Sequence, residues 1–459
     1  MLLKKYLPAF AAAMALSLSV VACNDEEPAQ NEEKPVVKPD DPDQPGGNEV
    51  LDPVQSKRFL EQTAEEYLNL FRAADQRDLI SLCNYFDREY GYLEAPDEFE
   101  IEGYDDADTY RLVRGMLRGM AYGDASRAAS SVFSWSCSID FEQFAGIYEP
   151  GNSKWVKVKD SDDIVFKFRN EAGGDCELRA TALRNVSDVS FTIVYADEEY
   201  NPATGRWEEL QYEDNYNIRL PKELTVTLTS GGKVMSDAKL VSTIDLDRHS
   251  LSVDADMTAA NLRGVVKIKG SDSKVTADAG LYISNSLTTT AKMTVNGSHL
   301  CDYDYLSGLG DSSDDILKVL HNGEVKASAL GKVQIDGTIS FDRDVISAMN
   351  GYWDDDEYDT PAQAEADVKK AVNALNRNLK AEVRYNNGKA VQATLTFKHK
   401  YDEWDYYWEY EIEPMIYFAA DKTSYSFEQY FGSGFSGVET LFADIVNNYK
   451  KVWESFDRR

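Results

Sequence analysis

Clusters of acidic residues are the first feature of this sequence that could do chemistry. There are three of them: Asp354-Asp355-Asp356-Glu357 with Asp359, Asp302 with Asp304 and Asp311, and Asp197-Glu198-Glu199. A calcium site needs six to eight oxygens around one point, which an EF-hand loop supplies through fixed spacing and a central glycine. None of the three clusters has that pattern. The sequence therefore predicts solvated acidic loops and no metal site.

The histidines and cysteines are too dispersed for zinc or C-x-x-C redox chemistry. The histidines are His249, His299, His321 and His399, and the cysteines other than Cys23 are Cys83, Cys137, Cys176 and Cys301. An oxidising compartment would permit two disulfides in any of three connectivities. Cys83, on an apolar helix face, could equally be a buried free thiol. His399 shares the face of Leu395 and Phe397 and is expected to pack in a strand.

Catalytic and cofactor motifs are absent or incomplete. Gly432-Ser433-Gly434-Phe435-Ser436-Gly437 matches G-x-G-x-x-G, but a dinucleotide fold requires a buried apolar strand before it. The preceding stretch 426–431 mixes polar and aromatic residues, so we interpret the motif as a glycine loop that enters a helix. No G-x-S-x-G elbow is present, and paired acids are too common here to nominate a glycosidase pair. We therefore expect no enzyme, no catalytic residue and no cofactor.

Aromatic residues are densest between Tyr401 and Phe418, where a sugar-stacking platform could form. If the segment is one strand, its aromatic and aliphatic residues share one face and its acids share the other. The first face holds Trp404, Tyr406, Trp408, Tyr410, Ile412, Ile416 and Phe418; the second holds Asp405, Glu409, Glu411 and Glu413. This pattern favours core packing. Tyr352, Trp353 and Tyr358, in an acidic loop, are better candidates for exposed aromatics that bind a ligand.

Cys23 has the most definite chemistry in the chain. Lys4 and Lys5 precede an apolar run, residues 7–21, that ends in small residues, as signal peptides do. The run is too short for a spanning helix. Its end, Val20-Val21-Ala22-Cys23, resembles the lipobox of bacterial lipoproteins. The resemblance implies cleavage of the signal peptide 1–22 between Ala22 and Cys23 and transfer of a diacylglycerol to the cysteine thiol.

Lipidation of Cys23 would attach the protein firmly to a membrane. Two or three acyl chains, palmitate for example, contribute about 0.8 kcal/mol for each buried methylene, which is enough for stable anchoring. The alternative is an ordinary signal peptide followed by a chance cysteine. The acids in Asn24-Asp25-Glu26-Glu27 also resemble the signal that exports lipoproteins of the Bacteroidota to the outer face of the outer membrane. We therefore expect surface display, with the periplasmic face as the alternative.

Residues 23–55 have the composition of a disordered tether. Residues 24–55 contain six prolines, ten acids and only two lysines, so they cannot bury a core and their like charges extend them. At about 3.1 Å per residue, the segment could hold the folded part up to roughly 90 Å from the bilayer. The whole chain carries a net charge of −32, and removal of Lys4 and Lys5 makes the mature chain more negative. This charge argues against binding to nucleic acid or to anionic headgroups.

Helical periodicity appears in several segments beyond the tether. Ser56 is expected to cap a helix that runs to about Phe71, and Asp75 to open a second with Leu79, Leu82, Cys83 and Phe86 on one face. Further helices are predicted at 108–121, at 312–322 and at 361–380, the last opened by a Thr360-x-x-Gln363 capping box. A final amphipathic helix begins at Ser436. Its apolar stripe is Leu441, Phe442, Ile445, Val446, Tyr449, Val452, Trp453 and Phe456.

Between Trp155 and Asn296 the period changes to two, which is typical of strands. Leu224, Val226 and Leu228 alternate with threonines, and Gly231-Gly232 marks the hairpin that follows. Further runs lie at 238–246, 251–258, 262–269, 275–284, 287–296, 381–385, 391–401 and 404–418. Residues 201–205 form another hairpin loop. Short turns between successive strands imply an antiparallel meander.

Several short stretches together resemble a group of uncharacterised surface-exposed lipoproteins of gut Bacteroidota. They are Leu79-Ile80-Ser81-Leu82, Phe144-Ala145-Gly146-Ile147-Tyr148-Glu149, Leu220-Pro221-Lys222-Glu223-Leu224-Thr225, Pro414-Met415-Ile416-Tyr417-Phe418 and Ser426-Phe427-Glu428-Gln429-Tyr430-Phe431. Their order and the lipobox carry the resemblance, which spans most of the mature chain. It implies a location in the envelope and assigns no catalytic residue.

The sequence thus predicts an α+β body. Residues 56–150 form a helical N-terminal part, 151–300 a large antiparallel β-meander, and 301–459 a mixed part whose helices cover the sheet, including the C-terminal amphipathic helix. The expected role is non-catalytic binding or scaffolding of a protein or glycan partner at the outer-membrane surface. The alternatives are a carrier of an apolar ligand in a half-barrel β cavity and a glycan-processing enzyme whose acids only the fold brings together.

Overall fold

The computed structural model describes most of the chain after the tether. The described residues are 49–94, 96, 144–182, 186–201, 206–302, 305–306, 313–350, 353–354, 358, 360–403, 408–432 and 435–457. They form a mixed α+β structure with one 17-stranded, mostly antiparallel sheet and a separate two-stranded ribbon. The predicted fold class is confirmed at this level. The predicted helix at 108–121 lies outside the described residues.

The helices fall in three groups along the chain. Two open the described part, three lie between residues 313 and 378, and two close it. They are α1 (Pro53–Leu68), a 3-10 turn (Ala73–Gln76), α2 (Arg77–Tyr90), α3 (Ser313–Val319), α4 (Arg343–Asn350), α5 (Pro361–Asn378), α6 (Phe427–Phe431) and α7 (Ser436–Asp457).

The strands follow one another with short connections. In chain order they are β1 (Gly146–Pro150), β2 (Trp155–Lys159), β3 (Ile164–Arg169), β4 (Asp175–Ala182), β5 (Val186–Asn201), β6 (Arg206–Pro221), β7 (Glu223–Ser230), β8 (Lys233–Asp245), β9 (Ser250–Ala259), β10 (Leu262–Ser271), β11 (Lys274–Ile283), β12 (Ser286–Gly297), β13 (Leu320–Ala329), β14 (Val333–Ser340), β15 (Trp353–Asp354), β16 (Leu379–Tyr385), β17 (Val391–Glu403), β18 (Trp408–Phe418) and β19 (Thr423–Ser426). All the strands predicted between 224 and 296 are confirmed.

The large sheet is a meander. Strands β7 to β14 pair successively, β16, β17 and β18 continue the series, and β4 and β3 extend it on the other side of β7. The pairing of β1 with β3 is parallel. The parts predicted as 151–300 and 301–459 share this one sheet, because β12 pairs with β13. Strands β5 and β6 pair along all sixteen residues, from Val186↔Pro221 to Asn201↔Arg206, as expected for a hairpin around 201–205.

The register gives the central sheet one charged face and one apolar face. A cross-strand row on the outer face runs Asp254, Lys267, Asp278, Lys292, Lys326, Asp336 and Glu382. The neighbouring row on the inner face runs Leu240, Ala255, Val266, Ala279, Ala291, Ala327, Ile335 and Val383. Because side chains alternate along a strand, an unbroken register is needed to keep these rows separate.

The inner face carries the main core at the β3–β8 side of the sheet. There Leu224, Val226 and Leu228 of β7 are buried against helix α2, whose Leu79 is fully buried. Trp155 and Phe166 add an edge-to-face ring contact with centroids 5.1 Å apart. Burial of each large side chain contributes roughly 1.5–3 kcal/mol. Helix α2 thus covers the first half of the sheet.

Helices α4 and α5 cover the inner face at the other side. Val345, Ala374 and Leu375 form a buried cluster with half-buried Ile339 and Phe397 of the sheet. Helix α5 begins as predicted: Pro361 is its first residue, and the Thr360 side chain accepts a hydrogen bond from the Gln363 backbone N–H.

The first helix begins earlier than the expected cap at Ser56 predicts. Helix α1 begins at Pro53, capped by Asp52, whose side chain accepts from the Gln55 N–H while the Gln55 side chain accepts from the Asp52 N–H. Leu51 is buried and its N–H donates to Gln392 Oε1. The expected cap, Ser56, is instead a fully buried helix residue. A proline at the first helical position and an acid before it favour this earlier start.

The predicted helix 312–322 is also too long. Helix α3 ends at Val319, and residues 320–329 form β13, in which Asn322 pairs with Asn296 and Ser340. Asn322-Gly323 therefore lies inside a strand and does not end a helix. Strands β13 and β14 and helix α4 were not predicted. The tertiary pairing with β12 overrides the local turn signal of Asn-Gly.

The C-terminal helix α7 is confirmed, but its main partners are helices. Phe435 and Val438 are buried against Leu68 of α1, and Leu441 and Ile445 are only partly buried there. Its further contacts are with α2 and the 3-10 turn. Val446, expected in the buried stripe, is 47% exposed. The apolar stripe of α7 packs against α1 and α2, and this pair of helices is too narrow to bury the full width of the stripe.

A buried hydroxyl contact joins the N-terminal helix to the sheet, and its loss tests this packing. Ser56 Oγ and Tyr385 Oη are hydrogen-bonded, and both residues are at most 1% exposed. We expect Ser56→Ala to lower the free energy of unfolding by about 1–3 kcal/mol, because the tyrosine hydroxyl stays buried without this partner. Urea denaturation measures the loss.

Two further variants control this experiment. The double variant Ser56→Ala, Tyr385→Phe should regain part of the loss, since neither hydroxyl remains to be satisfied. The exposed residue Ser286 supplies the matched control, Ser286→Ala, with a change within about 0.5 kcal/mol. Equal stability of Ser56→Ala and the native protein would contradict the proposed contact.

Candidate functional site

A groove of about 390 Å³ lies where the N-terminal helices meet one end of the sheet. Four segments form it: the stretch from Arg72 through the 3-10 turn into α2, the start of β8, and the two turns that follow β9 and β11. Its lining residues are Arg72, Asp75, Asp78, Leu79, Lys233, Val234, Met235, Asp237, Thr258, Ala260, Asn261 and Ser284. The lining therefore combines charged side chains with an apolar part formed by Leu79, Met235 and Ala260.

Hydrogen bonds hold the helical wall of this groove to the sheet. Gln76, 2% exposed, donates from Nε2 to the Asn261 Oδ1 and the Ala259 carbonyl oxygen. Asn261 in turn donates from Nδ2 to Asp75 Oδ2 and Ser284 Oγ, each at 3.2 Å. The β9–β10 and β11–β12 turns and the 3-10 turn are thus one connected network. The groove is preformed by this network.

Both cations of the groove are paired with acids. Arg72 Nη2 lies 3.0 Å from Asp75 Oδ2, and Lys233 Nζ lies 3.1 Å from Asp78 Oδ2. The second pair links β8 to α2 across the groove. Exposed pairs of this kind contribute only about 0–1 kcal/mol to stability. They do, however, neutralise two of the three carboxylates in the lining.

The third carboxylate, Asp237, has a different environment. In the described part of the chain it makes no hydrogen bond or ion pair, and it is half-buried. Arg263, the cation that lowers its pKa, is engaged by Asp256 in a bidentate ion pair, with Nε 2.9 Å from Oδ1. Burial, followed by the neighbouring Asp256 charge, raises the pKa of Asp237, whereas Arg263 lowers it. Asp237 is therefore the lining carboxylate that has no paired cation among the described residues.

A second cluster of titratable groups lies at the opposite end of the strands. His249 in the β8–β9 turn places Nδ1 2.8 Å from Asp272 Oδ2 in the β10–β11 turn. His299, after β12, places Nδ1 3.0 Å from Asp302 Oδ2, and the His249 Nδ1 is 3.8 Å from the same oxygen. His299 also stacks on Tyr305 with ring centroids 3.9 Å apart. These contacts link the β8–β9 turn, the β10–β11 turn and the loop after β12.

Asp302 is the centre of this cluster. Burial disfavours its ionised form, but the Tyr305 N–H, His299 and His249 outweigh burial and lower the pKa of its carboxyl. No group of three or more His, Cys, Asp or Glu residues in the described ranges is arranged to hold a metal ion. The contacts are therefore those of hydrogen-bonded imidazole–carboxylate pairs. His249 and His299 both have positive φ, +45° and +55°, in keeping with their positions in tight loops.

The three described cysteines form no disulfide and have little nucleophilic character. Cys83 is buried in the main core, and burial, followed by Asp87, raises its pKa to about 12. Cys301 has a pKa of about 11, raised by burial and then by Asp272. A Cβ on Gly270 would lie 2.7 Å from Cys301 Sγ, so glycine is required where this loop packs on β10. The prediction of a buried Cys83 thiol outside any disulfide is confirmed; Cys137 lies outside the described residues.

Two of the three aromatics predicted to bind a ligand, Trp353 and Tyr358, lie in the described part of the chain. Tyr358 is half-buried against the cluster of Ala364, Val368 and Tyr410, so it packs on α5 and is not freely exposed. Trp353 belongs to the short strand β15 and pairs with Tyr410. Tyr352 lies outside the described residues. A binding role for these three residues stays a prediction.

The aromatic run of β18 behaves as expected where it is described. Tyr410 and Phe418 are buried, whereas Glu411 is exposed. Trp408 and Ile412 are half-buried beside Tyr410. His399 is half-buried on the same side, 6.0 Å from the Tyr410 ring, as predicted for a packed strand residue.

Several members of the predicted acid clusters lie outside the described residues. Among those described, Asp302 bonds histidines, and Glu198 and Glu199 face Glu209 and Glu208 across the β5–β6 ribbon. The lipobox residues Ala22 and Cys23 also lie outside the described residues. In the glycine motif, Gly432 ends helix α6 and α7 begins at Ser436, which agrees with a loop that enters a helix.

Sequence reasoning missed both the groove and the histidine cluster. The groove residues Arg72, Lys233 and Asp237 are far apart in the chain, and each sits in a segment of ordinary composition. A signal was available only for the cluster: the turns at 246–249, 272–273 and 298–302 lie at the same end of an antiparallel meander. Pairing alternate turns would have brought His249 near Asp272 and Asp302.

Comparisons with known proteins give no match from which a function could be assigned. No protein-family model, no curated protein and no solved structure matches the chain. In the described part, no helix is both long and apolar enough to cross a membrane.

The histidine–aspartate cluster predicts a pH-dependent contribution to stability. The pKa of Asp302 is lower in the folded than in the unfolded protein, so its contribution is present above the unfolded value and is lost as pH falls through the folded value. We expect Asp302→Asn to lower the melting temperature at neutral pH. The difference from the native protein should shrink as the pH falls through the carboxyl range.

Thermal melts of both proteins over that pH range make the measurement. Asp278→Asn is the control, because Asp278 is a half-exposed carboxylate of the outer face that is 3.4 Å from Lys292. A difference for Asp302→Asn that stays constant with pH would contradict the role of its ionised form.

Proposed function

We propose that this protein is a lipoprotein of the bacterial outer membrane, anchored through Cys23, that binds a polar partner without chemically altering it. The observation that carries the binding role is the preformed groove of about 390 Å³ beside α2, with an unpaired carboxylate in its lining. Ligand sites are commonly concave, with an apolar wall and a few converging polar groups. This groove has both features.

The groups in the groove support binding over catalysis. Asp75 and Asp78 are neutralised by Arg72 and Lys233, and the described residues of the lining include no histidine, cysteine or tyrosine. A glycosidase requires two carboxyl groups that face each other with separate roles as acid and base or nucleophile. Here Asp237 alone is unpaired among the three lining carboxylates. The glycan-processing enzyme therefore remains the weaker alternative.

The membrane location is proposed from the sequence. The basic start, the apolar run 7–21 and the Val20-Val21-Ala22-Cys23 end support lipidation of Cys23. The acids that follow Cys23 support display at the cell surface. Since the folded body begins at about Leu51, the extended segment from Cys23 would span roughly 85 Å at 3.1 Å per residue. That length places the groove well clear of lipid headgroups.

An apolar ligand is the second candidate, favoured by one observation. The inner-face row through Ala255, Val266 and Ala279 consists of small apolar side chains that are only half-buried. Small side chains at the centre of a curved sheet leave space that an acyl chain could fill. The groove described above is polar and lies at the strand ends, so we place the polar ligand first.

Replacement of the anchoring cysteine tests the location. We expect Cys23→Ser to abolish incorporation of labelled palmitate and to move the protein from the membrane to the soluble fraction, because a serine hydroxyl cannot form the thioether. Fractionation with radiolabelling of cells makes the measurement. Cys301→Ser, at a free thiol within the body, is the matched control and should keep both properties. A palmitate-labelled Cys23→Ser protein would contradict lipidation at this residue.

Protease treatment of intact cells tests surface display. We expect added protease to degrade the protein on intact cells, with first cuts in the extended segment 24–48, because a proline-rich acidic stretch cannot bury its backbone. Immunoblots before and after cell lysis make the measurement, with a periplasmic protein as the control for an intact outer membrane. Protection that disappears only after lysis would place the protein on the periplasmic face.

A further inference from the structure

We propose that the groove beside α2 binds an alkylammonium group, that is, a primary amine at the end of a short hydrocarbon chain, with Asp237 as its counter-ion. This inference rests on the proposed binding function and names the chemistry of the ligand. The same chemistry occurs in free aliphatic diamines and in the lysine side chain of a peptide.

Charge balance within the groove selects a cation. Arg72 and Lys233 are already paired with Asp75 and Asp78 at 3.0 and 3.1 Å. An anionic ligand would have to break those pairs and would face Asp237 as well. A cationic ligand meets one carboxylate that makes no ion pair among the described residues, and it leaves the existing pairs in place.

Among the described residues, no cation near Asp237 is available to pair with it. Arg263 is held by Asp256 in a two-point contact and also lies over the Tyr282 ring, with its guanidinium carbon 5.2 Å from the ring centroid. Asp256 is directly opposite Lys239 on β8, but Lys239 is paired with Glu223. Arg263 and Lys239 are therefore both paired with acids other than Asp237. Charge-assisted hydrogen bonds to an incoming ammonium group would satisfy the Asp237 oxygens.

The apolar wall selects an alkyl chain behind the charge. Val234, 53% exposed, Met235, 9% exposed, and Ala260 supply the accessible apolar lining, and Leu79 is fully buried. No aromatic side chain is among the lining residues, so neither stacking of a sugar ring nor a cation–π cage is provided. A hydrated metal ion would gain nothing from these methyl and methylene groups. An ammonium group on a short aliphatic chain uses both parts of the lining.

The long-range field acts in the same direction. The chain carries a net charge of −32, which attracts cations towards the protein and increases their association rate. Since the field is screened by salt, it contributes less than the local contact at physiological ionic strength. Specificity must therefore come from Asp237 and the apolar wall.

Isothermal titration of the purified full-length protein tests the proposal. The probes are cadaverine as the free diamine, Nα-acetyl-lysine methylamide as the peptide source, and pentanediol as the uncharged analogue of the same length. We expect saturable binding of at least one amine and none of the diol. Asp237→Asn should weaken binding of that amine by about tenfold or more, since it removes a charged hydrogen-bond acceptor. Binding to the native protein should also weaken as the pH falls and Asp237 becomes protonated.

Matched variants separate this site from the general negative field. Asp278→Asn removes the same charge from the outer face of β11, away from the groove, and should leave the affinity unchanged. Thermal melts check that Asp237→Asn is folded. Equal affinity of Asp237→Asn and the native protein, equal loss in Asp278→Asn, or binding of neither amine would overturn the proposal.

Failure of this test is distinguishable from failure of the proposed function. If no amine binds but the protein is labelled by palmitate and is degraded on intact cells, only the ligand class is wrong. Preference for cadaverine over the lysine derivative would identify a free amine as the ligand. The opposite preference would identify a lysine of a peptide.

Discussion

The constraint on which the whole structure depends is the register of its antiparallel meander, which shifts only at a few bulges near the strand ends. From β8 to β14 each strand pairs with the next, and β14 pairs with β16, so that Leu240, Ala255, Val266 and Ala279 stay on one face and Asp254, Lys267 and Asp278 on the other. A shift by one residue in any strand would move all its apolar side chains into water. The tight turns hold this register; both glycines between β7 and β8 have positive φ, +58° and +79°.

The helices make this broad sheet stable by covering its inner face at both sides. Helix α2 covers β7 and β8, helix α5 covers β14 to β18, and α1 connects the two through its contacts with Tyr385 and the C-terminal helix. The strands between them retain a half-buried inner face and a charged outer face. The outer face is balanced locally by pairs such as Lys292–Asp278, in spite of the large negative charge of the chain.

The candidate sites occur where this covering stops. The groove lies at the rim where α2 and the 3-10 turn reach the strand ends, because turns carry the polar groups that a covered face cannot. The histidine–aspartate cluster occupies the turns at the other end and contributes to joining them. A folded body that presents polar groups on its turns suits the proposed role of binding a partner. The proposed lipid anchor at Cys23 fits such a role.

The sequence alone determined the local features of this protein and left the distant ones to the fold. Period-two alternation predicted β8 to β12, because alternation records which face of a strand is buried. The capping residues Thr360 and Gln363 likewise predicted the start of α5. By contrast, Asn322-Gly323 reads locally as a helix end, but pairing with β12 and β14 makes it part of a strand. The groove joins Arg72, Lys233 and Asp237, which no spacing connects. Only the three-dimensional arrangement leaves Asp237 without a cation, because the pairing of every neighbouring charge depends on which strands and helices meet.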